Sequence, residues 1–330
     1  MKFGPVPVAQ AEGGILAHSV RLDSGRLRKG VTLTPEHIMA LQVSGFEDVV
    51  VARLEPGDVH ENAAAMRLAQ ASLQADQPIH LSAPFTGRVN LIADRPGVVR
   101  LQADQIRAAN AVDPMITVAT VPPFHQMRAG GMIATVKIIS YAVASEAVAE
   151  AAGLLTGAVG LSVPIYQRAS LIVTETPGGP GLKGQDAIEH RLNGLGMELS
   201  ETLVCAHEEG ALAQEIAAAK GEIVLILTAS ATSDARDTAP EALRRAGGQV
   251  TRFGIPVDPG NLLFLGQIGA KPVIGLPGSA RSPVLHGADW VLSRVACGID
   301  ITAQDFAAMG VGGLLKEIPT RPQPRRGGRS

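Results

Sequence analysis

From Ala169 to Cys297 the chain alternates short apolar runs with amphipathic ones, and the connections between them are brief. The apolar runs Leu171–Thr174, Leu199–Val204, Glu222–Thr228, Val250–Phe253, Leu262–Leu265 and Val273–Leu276 read as strands. Between them, helical spacing covers Gln185–Leu192, Ala211–Ala219 and Pro240–Arg245, and a last long helix is expected from Ser282 to Cys297. A strand that returns to the same sheet in parallel must cross over one of its faces, and helices do this at the least cost. The pattern therefore predicts a three-layer α/β/α domain with a largely parallel sheet, whose ligands lie beyond the carboxyl ends of the strands.

Upstream the pattern is different. Residues 1–56 read as a small α+β segment, with Thr34 capping a helix that has Pro35 at its first position and a valine-rich strand from Asp48 to Arg53. Asp58 and Glu61 have capping-box spacing for a second helix ending near Leu73. Residues 57–165 form a β-rich region with helices, its short strands punctuated by Gly and Pro, and Ser145–Leu155 is helical. The α/β domain is expected over residues 166–318, and 319–330 read as a flexible basic tail carrying Arg321, Arg325, Arg326 and Arg329.

Composition narrows the function classes. Aromatics make up 3% of the chain, too few for base-stacking platforms, and a net charge of −2 argues against a phosphate-backbone binder, so no nucleic-acid partner is expected. No apolar run reaches membrane-spanning length, and no secretory signal pattern opens the chain. Two cysteines, Cys205 and Cys297, are too few for a disulfide framework. The expected address is cytoplasmic, with no membrane partner.

Chemistry-bearing residues gather at the expected strand ends. The first strand runs into Thr174-Glu175-Thr176 and a Gly/Pro-rich turn to Gly184, a shape that receives a phosphate through backbone amides or serves as a surface loop. The third ends in Thr228-Ala229-Ser230-Ala231-Thr232-Ser233, followed by Asp234 and Asp237. These carboxylates suit Mg²⁺ assisted by a substrate phosphate, and equally suit a helix N-terminus. Two Pro-Gly turns, Pro259-Gly260-Asn261 and Pro277-Gly278-Ser279, follow apolar runs and together would form a pocket rim. Cys205 and His207 cannot fill a zinc site without further ligands. His286 reads as a residue on the face of the last helix.

In order and spacing, these four elements resemble the molybdopterin-binding domain of molybdopterin adenylyltransferases and molybdotransferases, the MogA/MoeA type. That family has a Thr-Gly-Asp/Ser-Glu turn where this chain has Thr174-Glu175-Thr176. Its Ser-Gly-Gly-Val-Ser-x-Gly-x-x-Asp motif falls on Thr228 to Asp237. The molybdotransferase branch adds Pro-Gly-Lys-Pro, here Pro259-Gly260-Asn261, and Leu-Pro-Gly-Asn-Pro, here Leu276-Pro277-Gly278-Ser279-Ala280. The resemblance implies a pterin site at Thr174, Glu175, Thr228, Ala229, Ser230, Thr232, Pro259, Gly260, Asn261, Pro277, Gly278 and Ser279. It implies a Mg²⁺- or adenylate-handling role for Asp237, with Asp234 beside it. Departures stand at Ala229-Ser230, which replaces the double glycine, at Asp234, which replaces a glycine, and at Asn261, which replaces the lysine. Loss of that lysine weakens the hold on an anion unless Lys183 or Arg281 substitutes for it.

The resemblance thus implies a protein of molybdenum cofactor biosynthesis that binds molybdopterin or its adenylate, with molybdate insertion as the reaction of a catalytic, transferase member. The alternative is a carrier or scaffold serving a separate molybdenum cofactor nucleotidyltransferase or a molybdoenzyme. A nucleotide hydrolase of the competence/damage-inducible type sharing the α/β domain is a third reading. The chain also resembles the N-terminal module of longer bacterial proteins that continue into a molybdenum cofactor cytidylyltransferase-like domain. The Leu-Ala-Ala-Gly loop of that domain does not occur here. Members of this fold commonly associate, so a homo-oligomer is expected.

Overall fold

A computed structural model describes residues 1–315; the basic tail lies outside the described residues. The chain divides into two compact units. The first comprises Met1–Arg95, Val99–Pro123 and Ala129–Leu161, and the second Pro96–Val98, Phe124–Arg128 and the described residues from Ser162 onward.

Within the first unit, strands Lys2–Pro7, Asp48–Arg53 and Ile15–Leu16 form an antiparallel sheet with Asp48–Arg53 in the middle. Val8, Leu16, Leu33, Leu41, Val49 and Val51 pack beneath it, and helix Pro35–Val43 supplies Leu41. A four-stranded antiparallel sheet of Ile116–Thr120, Met132–Ile138, Arg88–Ala93 and Ile79–Leu81 follows, with helices Glu61–Ser72, Ala103–Asn110 and Ser145–Leu155. The capping box expected of Asp58 and Glu61 does not form. His60 is the N-cap and accepts the Asn62 amide at 3.2 Å, because Asp58 lies in the strand Asp58–His60 and pairs with the terminal amine of Met1 at 2.8 Å.

The second unit is mixed α/β. Its elements are β1 (Arg168–Glu175), α1 (Gln185–Asn193), β2 (Glu198–Ala206), α2 (Glu209–Ala218), β3 (Ile223–Leu227), α3 (Thr238–Arg245), β4 (Gln249–Phe253), β5 (Phe264–Ile268), β6 (Lys271–Leu276), α4 (Gly287–Ala296) and α5 (Ala303–Ala308). The six strands lie in the order β2-β1-β3-β6-β5-β4. The first four are mutually parallel, and β5 and β4 close the far side antiparallel. Side chains alternate across a strand, so one apolar run feeds both faces. Leu171, Val173, Leu225, Leu227 and Ile274 pack with Ile188 and Leu192 of α1, Val291 and Leu292 of α4 and Phe306 of α5. Their neighbours Ile172, Val224, Ile226 and Val273 pack with Leu212 and Ile216 of α2 and Ala242 and Leu243 of α3. Each buried aliphatic side chain contributes about 1.5–3 kcal/mol.

The expected helix from Ser282 begins five residues late. A single 3-10 turn, Gly278–Arg281, follows β6, and the chain runs extended through Ser282 before α4 starts at Gly287. Pro283 cannot donate to a helical ladder, and His286 supplies the cap.

Among the described residues no helix is long and apolar enough to cross a membrane. Gly275 of β6 sits under the buried ring of Phe264, its partner on β5, and a Cβ there would overlap the ring. Gly275→Ala is expected to lower the unfolding free energy by about 1–3 kcal/mol in urea titration, the cost of overpacking a filled core.

Candidate functional site at the strand ends

Parallel strands β1, β3 and β6 all end on one edge of the sheet. The antiparallel β5 starts there too, since Phe264 pairs with Gly275 near the end of β6. The turn through Pro259-Gly260-Asn261, which leads into β5, and the turn through Pro277-Gly278-Ser279, which leaves β6, therefore belong to neighbouring strand ends. The loop after β1 and the loop after β3 complete this edge.

The residues singled out in the sequence divide into two sets. Thr174 is fully buried; its Oγ1 accepts the Ala229 amide at 2.9 Å and lies 2.9 Å from Nδ1 of His207. It joins the ends of β1 and β3. Thr228 is buried and donates its hydroxyl to the Ser230 carbonyl at 2.5 Å, while Thr232 is buried as well. Pro259 and Gly260 are buried against the start of α4: the Gly287 amide donates to the Pro259 carbonyl at 2.8 Å, and a Cβ on Gly260 would come within 2.6 Å of that amide nitrogen. Gly260 has φ +130°, a backbone open to glycine, and its close approach is made to a helix of the same chain. Pro277 is buried, and its carbonyl accepts the Ala280 amide. The remaining residues reach solvent: Glu175, Ser230, Asn261, Gly278 and Ser279 are exposed and Ala229 is half-buried.

Asp237 is the N-cap of α3. One of its oxygens accepts the Thr238 amide at 2.7 Å, the other the Ser233 amide at 2.9 Å. Asp234 accepts the Arg236 amide at 2.8 Å. Among the described residues no group of three His, Cys, Asp or Glu side chains stands together to hold a metal ion. Both carboxylates thus shape the loop after β3, and each Asp237 oxygen that accepts one amide keeps a second lone pair.

Two arginines make contacts that the sequence does not disclose. Arg191 of α1 is buried; it pairs with Asp289 of α4 at 2.7 Å and donates to the carbonyls of Ala187, Ala280, Ser282 and Val284. Arg281 donates to the carbonyls of Gly181 at 3.0 Å, Lys183, and Thr228 at 3.1 Å, tying the loop after β1 to the end of β3. Backbone carbonyls recruited from distant loops leave no motif, so neither set of contacts has a signature in sequence.

His286 is not on a helix face. It caps α4, accepting the Ala288 amide on Nδ1 at 3.0 Å, while Asp289 accepts the His286 amide at 2.7 Å. The spacing His286-x-x-Asp289 was the available signal, since it mimics a capping box. The ring is buried and its Nε2 has no hydrogen-bond partner. Burial drives its pKa down to about 4, with Asp289 opposing and Arg191 adding to the shift. Cys205 and Cys297 are pushed up by burial to about 11 and about 12, so neither is a thiolate near neutrality. An open cavity of about 460 Å³ lies beside Glu175, Thr176, Pro177, Val204, Cys205 and Ala206.

An unfolded chain takes up the His286 proton near pH 6.5, whereas the folded one resists until about pH 4. Acid therefore favours unfolding across that window. Stability is expected to fall by on the order of 2 kcal/mol between pH 6.5 and 4. In His286→Asn, which keeps a capping acceptor, the fall measured by denaturant titration at each pH should be smaller.

Residues 183–295 match the family described as a probable molybdopterin binding domain, and residues 5–53 match one described as a domain of unknown function. No curated protein matches the chain. Among solved structures, a molybdopterin biosynthesis MoeA protein from Pyrococcus horikoshii is 14% identical, with a TM-score of 0.28, over 96% of this chain and 76% of that one. A molybdenum cofactor biosynthesis protein from Pyrococcus furiosus is 10% identical, with a TM-score of 0.21, over 96% and 66%. The molybdopterin biosynthesis enzyme MoaB from Thermus thermophilus is 13% identical, with a TM-score of 0.27, over 46% and 99%. At these TM-scores the weight rests on the family match. By that match, this chain carries, over residues 183–295, a domain of the family described as a probable molybdopterin binding domain.

Proposed function

We propose that the α/β unit binds molybdopterin, or its adenylate, over the shared edge of β1, β3, β5 and β6, as a cytoplasmic protein of molybdenum cofactor biosynthesis. The observation that supports this best is the family match, which spans the loops after β3 and β6 and the turn before β5. The exposed residues Glu175, Ser230, Asn261, Gly278 and Ser279, with half-buried Ala229, would meet the pterin. Thr174, Thr228, Thr232, Pro259, Gly260 and Pro277 would hold the loops in register beneath it. In this reading residues 166–318 are the binding domain, accompanied by the segments 1–56 and 57–165.

Asp237 separates two versions of the reading. A molybdotransferase would use Asp237 and Asp234 on the adenylate, with molybdate as a second substrate. In this chain both oxygens of Asp237 already accept backbone amides. Each oxygen keeps a lone pair, so the carrier version rests instead on Ala229-Ser230, whose side chains narrow the edge where the family has a double glycine. A carrier presents the pterin to a separate nucleotidyltransferase or molybdoenzyme, and we assign no step through Mg²⁺. A homo-oligomer would be compatible with either version.

Two measurements test the reading. The full chain is incubated with molybdopterin, freed of unbound pterin, oxidised and read by fluorescence; retention near one pterin per chain is expected, and none retained would remove the binding proposal. Molybdate-dependent adenylate cleavage is then compared between wild type and Asp237→Ala. The carrier version expects no cleavage above background in either, with the variant about 1 kcal/mol less stable from its lost cap. Cleavage by wild type that the variant loses would establish the catalytic version instead.

A further inference from the structure

Among the described residues, Arg281 is a half-buried cation held by neutral groups. Its guanidinium has five N–H donors. Nη1 donates to the carbonyls of Gly181 and Lys183, and Nη2 to that of Thr228. One Nη2 hydrogen and the Nε hydrogen remain. Burial lowers the pKa of Arg281, and no acid acts in the opposite direction. The buried Arg191, in contrast, carries Asp289 as its counter-ion. Moving a charge out of water is costly unless an opposite charge receives it, and three carbonyl dipoles offset only part of that cost.

The position of this charge follows from the backbone around it. Arg281 lies in the turn that leaves β6, and the carbonyls it holds belong to the loop after β1 and the end of β3. Gly184, at φ +95°, lets that loop close onto it, since a Cβ there would overlap the Arg281 stem. Exposed Lys183 is on the same loop, and Ser230 and Ser279 are exposed on the other two segments. The charge is therefore held at the sheet edge, where ligands of parallel α/β sheets lie.

We propose that Arg281 is the principal binding residue for a phosphoryl group, with its three carbonyl contacts fixing the guanidinium and its remaining donors presented to the oxyanion. A dianionic phosphoryl group supplies the counter-charge that no described residue provides, and it accepts the donors of a guanidinium fork in its preferred geometry. The proposal deepens the reading of this edge as the pterin site by naming the group that anchors the ligand there.

The test begins with inorganic phosphate as probe. Titration calorimetry on the full chain should show phosphate binding by wild type, weakened roughly tenfold or more in Arg281→Gln. Arg281→Lys keeps the charge but not the fork, and should fall between them. Equal phosphate affinity in wild type and Arg281→Gln, or no binding by wild type, would overturn the proposal. Because Arg281→Gln loosens three loop contacts and is at risk of misfolding, a second measurement uses the unaltered protein. Phenylglyoxal modification, mapped by peptide mass, should be slowed by phosphate at Arg281 and unchanged at exposed Arg67; equal rates at Arg281 with and without phosphate would overturn it too. Molybdopterin retention in the same variants separates this proposal from the pterin reading. Undiminished retention by Arg281→Gln would remove Arg281 and leave the pterin reading standing. Phosphate binding through Arg281 without any pterin retained would do the reverse.

Discussion

Arg191 is the fixed point of the strand-end region. Its guanidinium, buried between α1 and α4, meets one carboxylate and four carbonyls, and three of those carbonyls, of Ala280, Ser282 and Val284, come from the segment joining β6 to α4. That segment has no regular ladder beyond one 3-10 turn, so its path is set by these bonds. With Ala280 and Ser282 pinned on either side, Arg281 is directed to Gly181, Lys183 and Thr228. Removing one partner of such a buried pair typically costs about 3–5 kcal/mol, because the other charge is left stranded. Here the strain would extend to the three loops that Arg281 ties together.

The two Pro-Gly turns illustrate how one local signal acquires different uses. Both lie at neighbouring strand ends, as their spacing with the apolar runs implied. Gly278 and Ser279 remain exposed, whereas Gly260 is closed against the amide of Gly287. A glycine permits close approach of something to the backbone, and sequence does not say whether that is a ligand or a helix. The same ambiguity attended Asp237. Its two readings, cap and metal ligand, demand the same residue type at the same place; the Ser233 and Thr238 amides show the cap, which leaves lone pairs on both oxygens.

What was legible in the sequence is what depends on period and local chemistry. The strands of the α/β unit and the helices between them follow from apolar runs and 3.6-residue spacing, and their boundaries differ from expectation by a few residues at most except at α4. There, Pro283 and His286 overrode an amphipathic stretch that continued upstream of the true helix start. The cap at Asp58 failed for a related reason: the residue was claimed by the terminal amine of Met1, more than fifty residues away in the chain.

By itself the sequence determined which segments are strands and helices, which strand ends carry small and hydroxyl residues, and the likeness to a molybdopterin-binding domain. These are properties of neighbours along the chain. The tertiary structure alone decided which polar groups are already satisfied. Thr174 is engaged by the Ala229 amide, and Arg281 is charged, half-buried and, among the described residues, held by the carbonyls of Gly181, Lys183 and Thr228 with no carboxylate partner. Hydrogen-bond partners drawn from residues some fifty to a hundred positions away have no period and no motif, so their identity becomes readable only when the loops meet at the sheet edge.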